Sequence, residues 1–270
     1  MSGQEADQPC KKQKITASSG RSSQDDELKR FYRSWAWKRE HRPDKERFHR
    51  PYKHTMVLPG SEVSITLSIR QKKFGPEGFA STVWDSAIVA AKYVEKWPEL
   101  FAGKRCCDLS AGCGLVAVVM AKLGASAAAT DLAPNLPLLI DNCKDNGVPD
   151  VAVVEHRWGC ELQGDLSEPF DVIVACDVMY VDELVPDLVQ SLLQLSFTGS
   201  TILIAHGRNR PAEPAFKLAA ARHFAFELVP DDELDEVYQC SDVDVLRLRR
   251  LPAKSPPSQS EGAVAGPGIN

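Results

Sequence analysis

The chain has 270 residues, 43% hydrophobic and 26% charged, enough to bury one substantial core or at most two small ones. No run approaches the roughly 18 apolar residues of a membrane helix, and the polar N-terminus lacks a signal-peptide core, so no membrane partner is expected. Residues 1–50 hold thirteen Lys/Arg and eight Asp/Glu, a balance of +5, which leaves −10 for the body within a whole-chain charge of −5; an acidic body disfavours a phosphate-backbone binder and suits a basic protein substrate.

Residues 1–26 are polar and poor in large apolar side chains, which predicts a disordered tail. Within it Lys11-Lys12-Gln13-Lys14 reads as a solvated basic run, with a weak nuclear-import patch as the alternative. Residues 27–50 mix Phe31, Tyr32, Trp35, Trp37 and Phe48 with many basic residues. That mixture predicts a helical arm packed on the acidic body, and it keeps base stacking on nucleic acid as a rival use. The runs 52–58 and 63–70 flank Pro59-Gly60-Ser61 and predict a β-hairpin. Gly75, Pro76 and Gly78 mark a loop, and the spacing of Trp84, Ile88, Val89, Ala91 and Val94 predicts a helix over 83–96.

From there strands and helices alternate. Strands are expected at 105–109, 125–130, 151–156, 170–176 and 200–205, and helices at 113–123, 133–146, 182–195 and 211–222. Such alternation specifies a parallel, doubly wound α/β sheet. The runs 224–229 and 243–251 have no helical crossover between them, so they predict a closing antiparallel hairpin and seven strands in all. The body domain is thus 51–252, followed by a Pro/Ser/Gly-rich tail at 253–270 that predicts disorder.

Eight cysteines, Cys10, Cys106, Cys107, Cys113, Cys143, Cys160, Cys176 and Cys240, form no C-x-x-C pair and fall mostly in apolar runs. They predict reduced core thiols of an intracellular protein and no metal site.

The chemistry is expected at the carboxyl ends of the strands. Asp108, Ser110, Ala111, Gly112 and Gly114 lie in a strand, small-residue turn and helix opening, and Asp131 ends the next strand. A tight turn at a helix N-terminus followed by an acid that can accept ribose hydroxyls predicts an adenosine-type cofactor. Trp158, beyond the third strand, offers a flat ring for an adenine face, or is an ordinary core tryptophan. Asp177 follows an apolar strand at the chain crossover; a helix N-cap is its plain alternative, although Asp182 is better placed for capping. Tyr180 is placed to line the same cavity mouth.

These residues resemble the seven-strand S-adenosylmethionine-dependent methyltransferases. Within them the chain is similar to the protein-lysine methyltransferases of methyltransferase family 16. The marks, spread over residues 63–251, are Val83-Trp84-Asp85-Ser86-Ala87, Asp108-Leu109-Ser110-Ala111-Gly112-Cys113-Gly114-Leu115, Ala129-Thr130-Asp131, Arg157-Trp158-Gly159 and Asp177-x-x-Tyr180. The family usually has glycine where this chain has Ser110, and alanine where it has Cys176.

The resemblance implies S-adenosyl-L-methionine as cofactor and methyl transfer to a lysine amine of a protein substrate. It implies that Trp84 lies beside the cofactor and that Ser110, Ala111 and Gly112 line its methionine part. Asp108 and Gly114 support the turn, Asp131 binds the ribose, Trp158 packs on the adenine, and the Cys176 backbone borders the cofactor. Asp177 and Tyr180 face the methyl-transfer cavity as the catalytic pair. The members known to act on chaperones and elongation factors imply a cytoplasmic protein, with the nucleus as a further site, and a monomer is expected.

Two rivals stand beside this reading. The first is a methyltransferase acting on nucleic acid or a small molecule; amino-methylating enzymes that handle adenine or glutamine usually carry Asn/Asp-Pro-Pro-Tyr where this chain has Asp177-Val178-Met179-Tyr180. A non-catalytic cofactor-binding module is the other, because fold does not fix function.

Overall fold

The computed structural model describes residues 45–48, 50–72, 80–207, 210–240 and 242–252. The tail expected at 1–26, the loop at Gly75, Pro76 and Gly78, the tail at 253–270 and most of the arm expected at 27–50 lie outside them. Of the arm, a short 3-10 turn at Lys45–Phe48 is described, with Phe48 buried.

A hairpin comes first. β1 (Tyr52–Val57) and β2 (Ser64–Ile69) pair antiparallel, and along β1 the side chains of His54 and Met56 are buried while Lys53, Thr55 and Val57 face out. The seven-stranded sheet follows: β3 (Arg105–Leu109), β4 (Ser126–Asp131), β5 (Ala152–Glu155), β6 (Phe170–Cys176), β7 (Ser196–His206), β8 (Phe224–Leu228) and β9 (Asp244–Arg250). Their spatial order is β5-β4-β3-β6-β7-β9-β8. The first five strands are parallel, and β9 runs antiparallel to both β7 and β8. The closing hairpin is present as expected, with its second strand inserted between β7 and the edge.

Helices α1 (Asp85–Lys96), α2 (Leu115–Lys122) and α3 (Leu136–Asp145) cover one face, where Val89, Val118 and Leu139 pack on Cys106, Val174 and Leu203. Helices α4 (Val185–Leu195) and α5 (Glu213–Ala220) cover the other, where Leu188, Leu192 and Phe216 pack on Cys107, Ile173 and Ile204. Successive residues of a strand point to opposite faces, so strands buried on both sides become continuous apolar runs. β3 and β6 are neighbours, and the chain leaves β3 towards β4 on one side but reaches β7 from β6 on the other. That reversal opens a crevice at their carboxyl ends.

Several boundaries depart from expectation. α2 starts at Leu115 because Cys113 and Gly114 are spent in the turn. The segment expected to be helical from 133 opens as a 3-10 turn, Ala133–Asn135, and Asp182 opens another, Asp182–Leu184. Asp182 is therefore not the cap its position suggests: the residue before that turn is Val181, with no side-chain cap bond. Among the described residues Cys106, Cys107, Cys143, Cys176 and Cys240 are free thiols, whereas Cys160, expected to be reduced, is disulfide-bonded.

The hairpin is tied to the sheet layer by two asparagines one turn apart on or just after α3. Asn142 accepts the Arg70 N–H at 2.8 Å and donates to the Arg70 carbonyl at 3.0 Å and to the Cys113 carbonyl at 2.9 Å. Asn146 accepts the Ser68 N–H at 2.7 Å and donates to its carbonyl at 3.1 Å. Each amide thus imitates a neighbouring strand along the open edge of β2.

Candidate active site

The glycine turn hangs from the adjacent strand. The Ala111 N–H donates to the Thr130 carbonyl at 2.8 Å, and the Ser110 N–H to Thr130 Oγ1 at 3.3 Å. Left-handed backbone occurs at Ser110 (φ 62°), Gly112 (φ 55°) and Gly114 (φ 82°). A Cβ on Gly112 would stand 2.8 Å from the Ala80 carbonyl oxygen, and one on Gly114 would collide with Leu139 Cδ1. Small residues are required here by close packing as well as by backbone conformation. Ser110 alone of the three carries a side chain. Its Oγ accepts the indole N–H of Trp158 at 3.0 Å, which ties the turn beyond β5 to the turn beyond β3.

Two carboxylates brace this region. Asp108 is buried in β3, and its Oδ2 accepts the Ala117 N–H at 3.0 Å in the first turn of α2. Burial pushes its carboxyl up to about 7, opposed by the Ala117 bond and assisted by the negative charge of Asp131. Asp131 ends β4 and is also buried. Its Oδ2 accepts the Gly112 N–H at 2.8 Å, and its Oδ1 accepts the Leu132 N–H at 2.8 Å and the Asn135 amide at 2.7 Å. Burial holds its carboxyl above the usual range, and these donors pull it back. A carboxylate has about four acceptor positions, so three donors leave one for a hydroxyl of a ribose. With a flat, half-buried indole anchored nearby, the residues present fit an adenosine group.

The second cluster stands at the tips of β6 and β7. Asp177 adopts a left-handed backbone (φ 52°), and its N–H donates to the Ala205 carbonyl at 2.9 Å. Its Oδ1 accepts the Gly207 N–H at 2.8 Å, and its Oδ2 accepts the Ser86 hydroxyl at 2.5 Å. Burial raises its carboxyl, against the lowering effect of Gly207 and Ser86, and the charge of Asp85 adds to the rise. Asp177 is thus pinned between β7 and α1 and caps no helix. Cys176 is half-buried, and its thiol is held well above the ordinary range by burial and then by the charges of Asp108 and Asp177, so it lies between the two clusters. Trp84, half-buried, immediately precedes α1 and stands two residues before Ser86. Tyr180, half-buried, lies three residues beyond Asp177.

The structure therefore brings Asp108, Ser110, Ala111, Gly112, Gly114, Asp131 and Trp158 into one bonded unit, and sets Asp177 in another with Cys176 between. Trp84 and Tyr180 occupy the segments flanking Asp177. Sequence reasoning gave no role to Ser86, Gly207, Thr130 or Asn135. Gly207 sits at the tip of the strand beside β6, so strand order would have located it; Ser86 has no local signal beyond its place at the start of α1. Among the described residues no group of three His, Cys, Asp or Glu is arranged to hold a metal ion.

Residues 62–222 match the family described as lysine methyltransferase. The protein N-lysine methyltransferase METTL21A of Mus musculus is 32% identical over 197 residues, covering 72% of this chain and 88% of the relative. EEF1A lysine methyltransferase 3 of Mus musculus is 32% identical over 183 residues, covering 64% and 75%. Among solved structures, the T. thermophilus 16S rRNA N2 G1207 methyltransferase (RsmC) in complex with AdoMet and guanosine has a TM-score of 0.51 at 16% identity, covering 74% of this chain and 51% of that one, a likeness of fold alone.

Proposed function

This chain belongs to the lysine methyltransferase family, and from that premise we propose that Asp177 orients the lysine amine of a protein substrate at a methyl-donor pocket built on the glycine turn. The chain is an S-adenosylmethionine-dependent protein-lysine methyltransferase. The observation that carries the reading of Asp177 is its double anchoring, to Gly207 and Ser86, in a strained backbone at the switch point of the sheet.

The cofactor, when bound, supplies a methyl group already activated by a sulfonium. The protein's task is then alignment, which is where positioned side chains contribute most. In this reading the remaining acceptor position of Asp131 takes a ribose hydroxyl, and the Trp158 ring, fixed by Ser110, covers the adenine. Residues 110–112 line the methionine part, Asp108 and Gly114 hold the turn in shape, and Trp84 and the Cys176 backbone border the pocket. A lysine amine with an ordinary pKa of ~10.4 must shed its proton before attack, and burial favours the neutral form. Asp177 has lone pairs left beyond its two donors with which to accept an amine N–H and hold the nitrogen lone pair in line. Tyr180 gives the lysine stem an aromatic wall.

The −10 balance of residues 51–270 supports a basic protein substrate over nucleic acid, and the free buried thiols of Cys106, Cys107 and Cys143 favour the cytoplasm, with the nucleus as a further site, against the disulfide-bonded Cys160. The enzyme acts as a monomer in this reading. Recombinant full-length chain incubated with tritiated S-adenosylmethionine and a cell lysate tests it. Label is expected in protein and, after hydrolysis, in methyl-lysine; label confined to nuclease-sensitive material would overturn the reading.

A further inference from the structure

A groove of about 480 Å³ opens beside the first turn of α1. Its walls include Tyr52 of β1, Val83, Asp85 and Ile88 at α1, and Val237 and Tyr238 of the segment between β8 and β9. The last two are built into place. Asp235 Oδ1 accepts the N–H groups of both Val237 and Tyr238 at 2.9 Å, and Lys92 Nζ lies 4.9 Å from the centre of the Tyr238 ring. Yet Val237 is 80% exposed and Tyr238 43% exposed, so two adjacent large side chains stand at the rim with their backbone fastened. The floor, with buried Val83 and Val89, is apolar.

The surroundings are negative. Asp85 is exposed on the groove wall, and Asp231, Asp232 and Glu236 are exposed on the segment that carries Val237. The Tyr52 hydroxyl is pushed up to about 12 by burial, then by Tyr238, Glu95 and Asp85. The groove neighbours the site along the chain: Asp85 on its wall directly precedes the buried Ser86, whose hydroxyl holds Asp177.

We propose that this groove seats the stretch of the substrate protein flanking the target lysine, placing an apolar side chain on the floor of Val83 and Val89 and a basic one against Asp85 and the acidic rim. The proposal rests on the reading of Asp177 as the residue that orients the amine. Charge favours a basic occupant: an acidic partner is repelled, and so is the body of a second copy, which carries the same −10. This chain's own basic N-terminal residues, whose Phe48 lines the groove, are the competing occupant that the test below separates. Apolar anchors fastened in a desolvated slot and rimmed by complementary charge are the arrangement from which interface hot spots are made.

Photo-cross-linking tests this with the full chain. A benzoylphenylalanine is placed at position 237, and a control at Leu218, which is 77% exposed on α5; each is irradiated in lysate supplied with tritiated S-adenosylmethionine. The protein captured from position 237, and not from 218, is expected to be the one that gains label. Its cross-link should fall within about ten residues of the methylated lysine, roughly the reach of a 33 Å extended segment. Asp85→Lys should slow labelling of that protein about tenfold, the scale of one hot spot, while affinity for S-adenosylhomocysteine is unchanged. A cross-link to residues 1–44 of this chain or to a second copy would overturn the proposal, as would wild-type labelling by Asp85→Lys. If the wild-type chain transfers no methyl group to lysine, the reading of Asp177 fails and takes the groove's role with it; if transfer persists without capture at 237, only the groove fails.

Discussion

Ser110 in the glycine turn and Asp177 at the tip of β6 both hold a side chain in left-handed backbone, at a cost of about 1–3 kcal/mol each, and they are held in different ways. Ser110 is stabilised by its own βαβ unit and the one after it: Thr130, twenty residues on, receives its N–H, and Trp158 donates to its hydroxyl. Asp177 is held from far away in sequence, by Ser86 on α1 and Gly207 beyond β7. The cofactor side is thus a locally folded shelf. The transfer side exists only when α1, β6 and β7 are docked together. A shelf built from adjacent strands tolerates single changes better than a residue suspended between separate elements.

The largest effect should come from the suspended side. Asp177→Ala is expected to lower the methyl-transfer rate about a hundredfold, the scale of a misaligned nucleophile, with affinity for S-adenosylhomocysteine retained. Initial rates with tritiated cofactor, set beside calorimetry, check it; a full rate in the variant would remove the orienting role. On the shelf, Asp131→Ala should weaken cofactor binding by about 10- to 100-fold, since it deletes a charged hydrogen bond and leaves Gly112 and Asn135 without their acceptor. Titration calorimetry would show it, and a rate defect at saturating cofactor would contradict the division between the two sides.

Asn142→Ala probes a third place, where the shelf meets the hairpin. It strands the Arg70 backbone and the Cys113 carbonyl, so unfolding free energy should drop by about 1–3 kcal/mol in urea denaturation.

Asp108 gives a pH test. Its carboxyl is raised in the folded chain to about 7 from an ordinary 3.8, so the folded state binds the extra proton between those values. This group therefore favours folding at the acid end of that window and loses its contribution as pH rises through about 7, by at most about 1.4 kcal/mol per pH unit. Asp108→Asn keeps an acceptor for Ala117 and removes the charge. Its stability relative to wild type should rise between pH 4 and 8 in a series of urea titrations, and a flat difference would show that Asp108 is not the group responsible.

Smallest is Ser110. Ser110→Gly relieves left-handed strain but loses the Trp158 bond, two opposing terms of about 1 kcal/mol, and should be near neutral. Ser110→Ala keeps the strain and loses the bond, so it should be less stable by about 1 kcal/mol. Thermal scans of the two variants beside the wild type separate them.

The fold and the shelf were legible in the chain because both rest on near neighbours. Strand-length apolar runs, the small residues 110–114 and an acid one strand later are local patterns, and each has a backbone reason. Asp177 was legible as a polar residue ending an apolar strand and in the Asp177-x-x-Tyr180 mark, but its anchoring was not, since nothing near it announces Ser86 or Gly207. The role of Ser110 was hidden for the same reason: its departure from glycine makes sense only with the Trp158 indole within 3.0 Å.

By itself, then, the amino-acid sequence determined the alternating α/β layers, the closing hairpin and the turn that faces an adenosine group. These follow from period, from the left-handed glycines and from parallel strands buried on both faces. Tertiary structure alone decided that β9 enters between β7 and β8, that Asn142 and Asn146 clip the hairpin to α3, and that the Val237–Tyr238 rim meets Asp85 across a groove. Each of those joins residues from separate elements, whose meeting is set by packing of the whole core and carries no local signature.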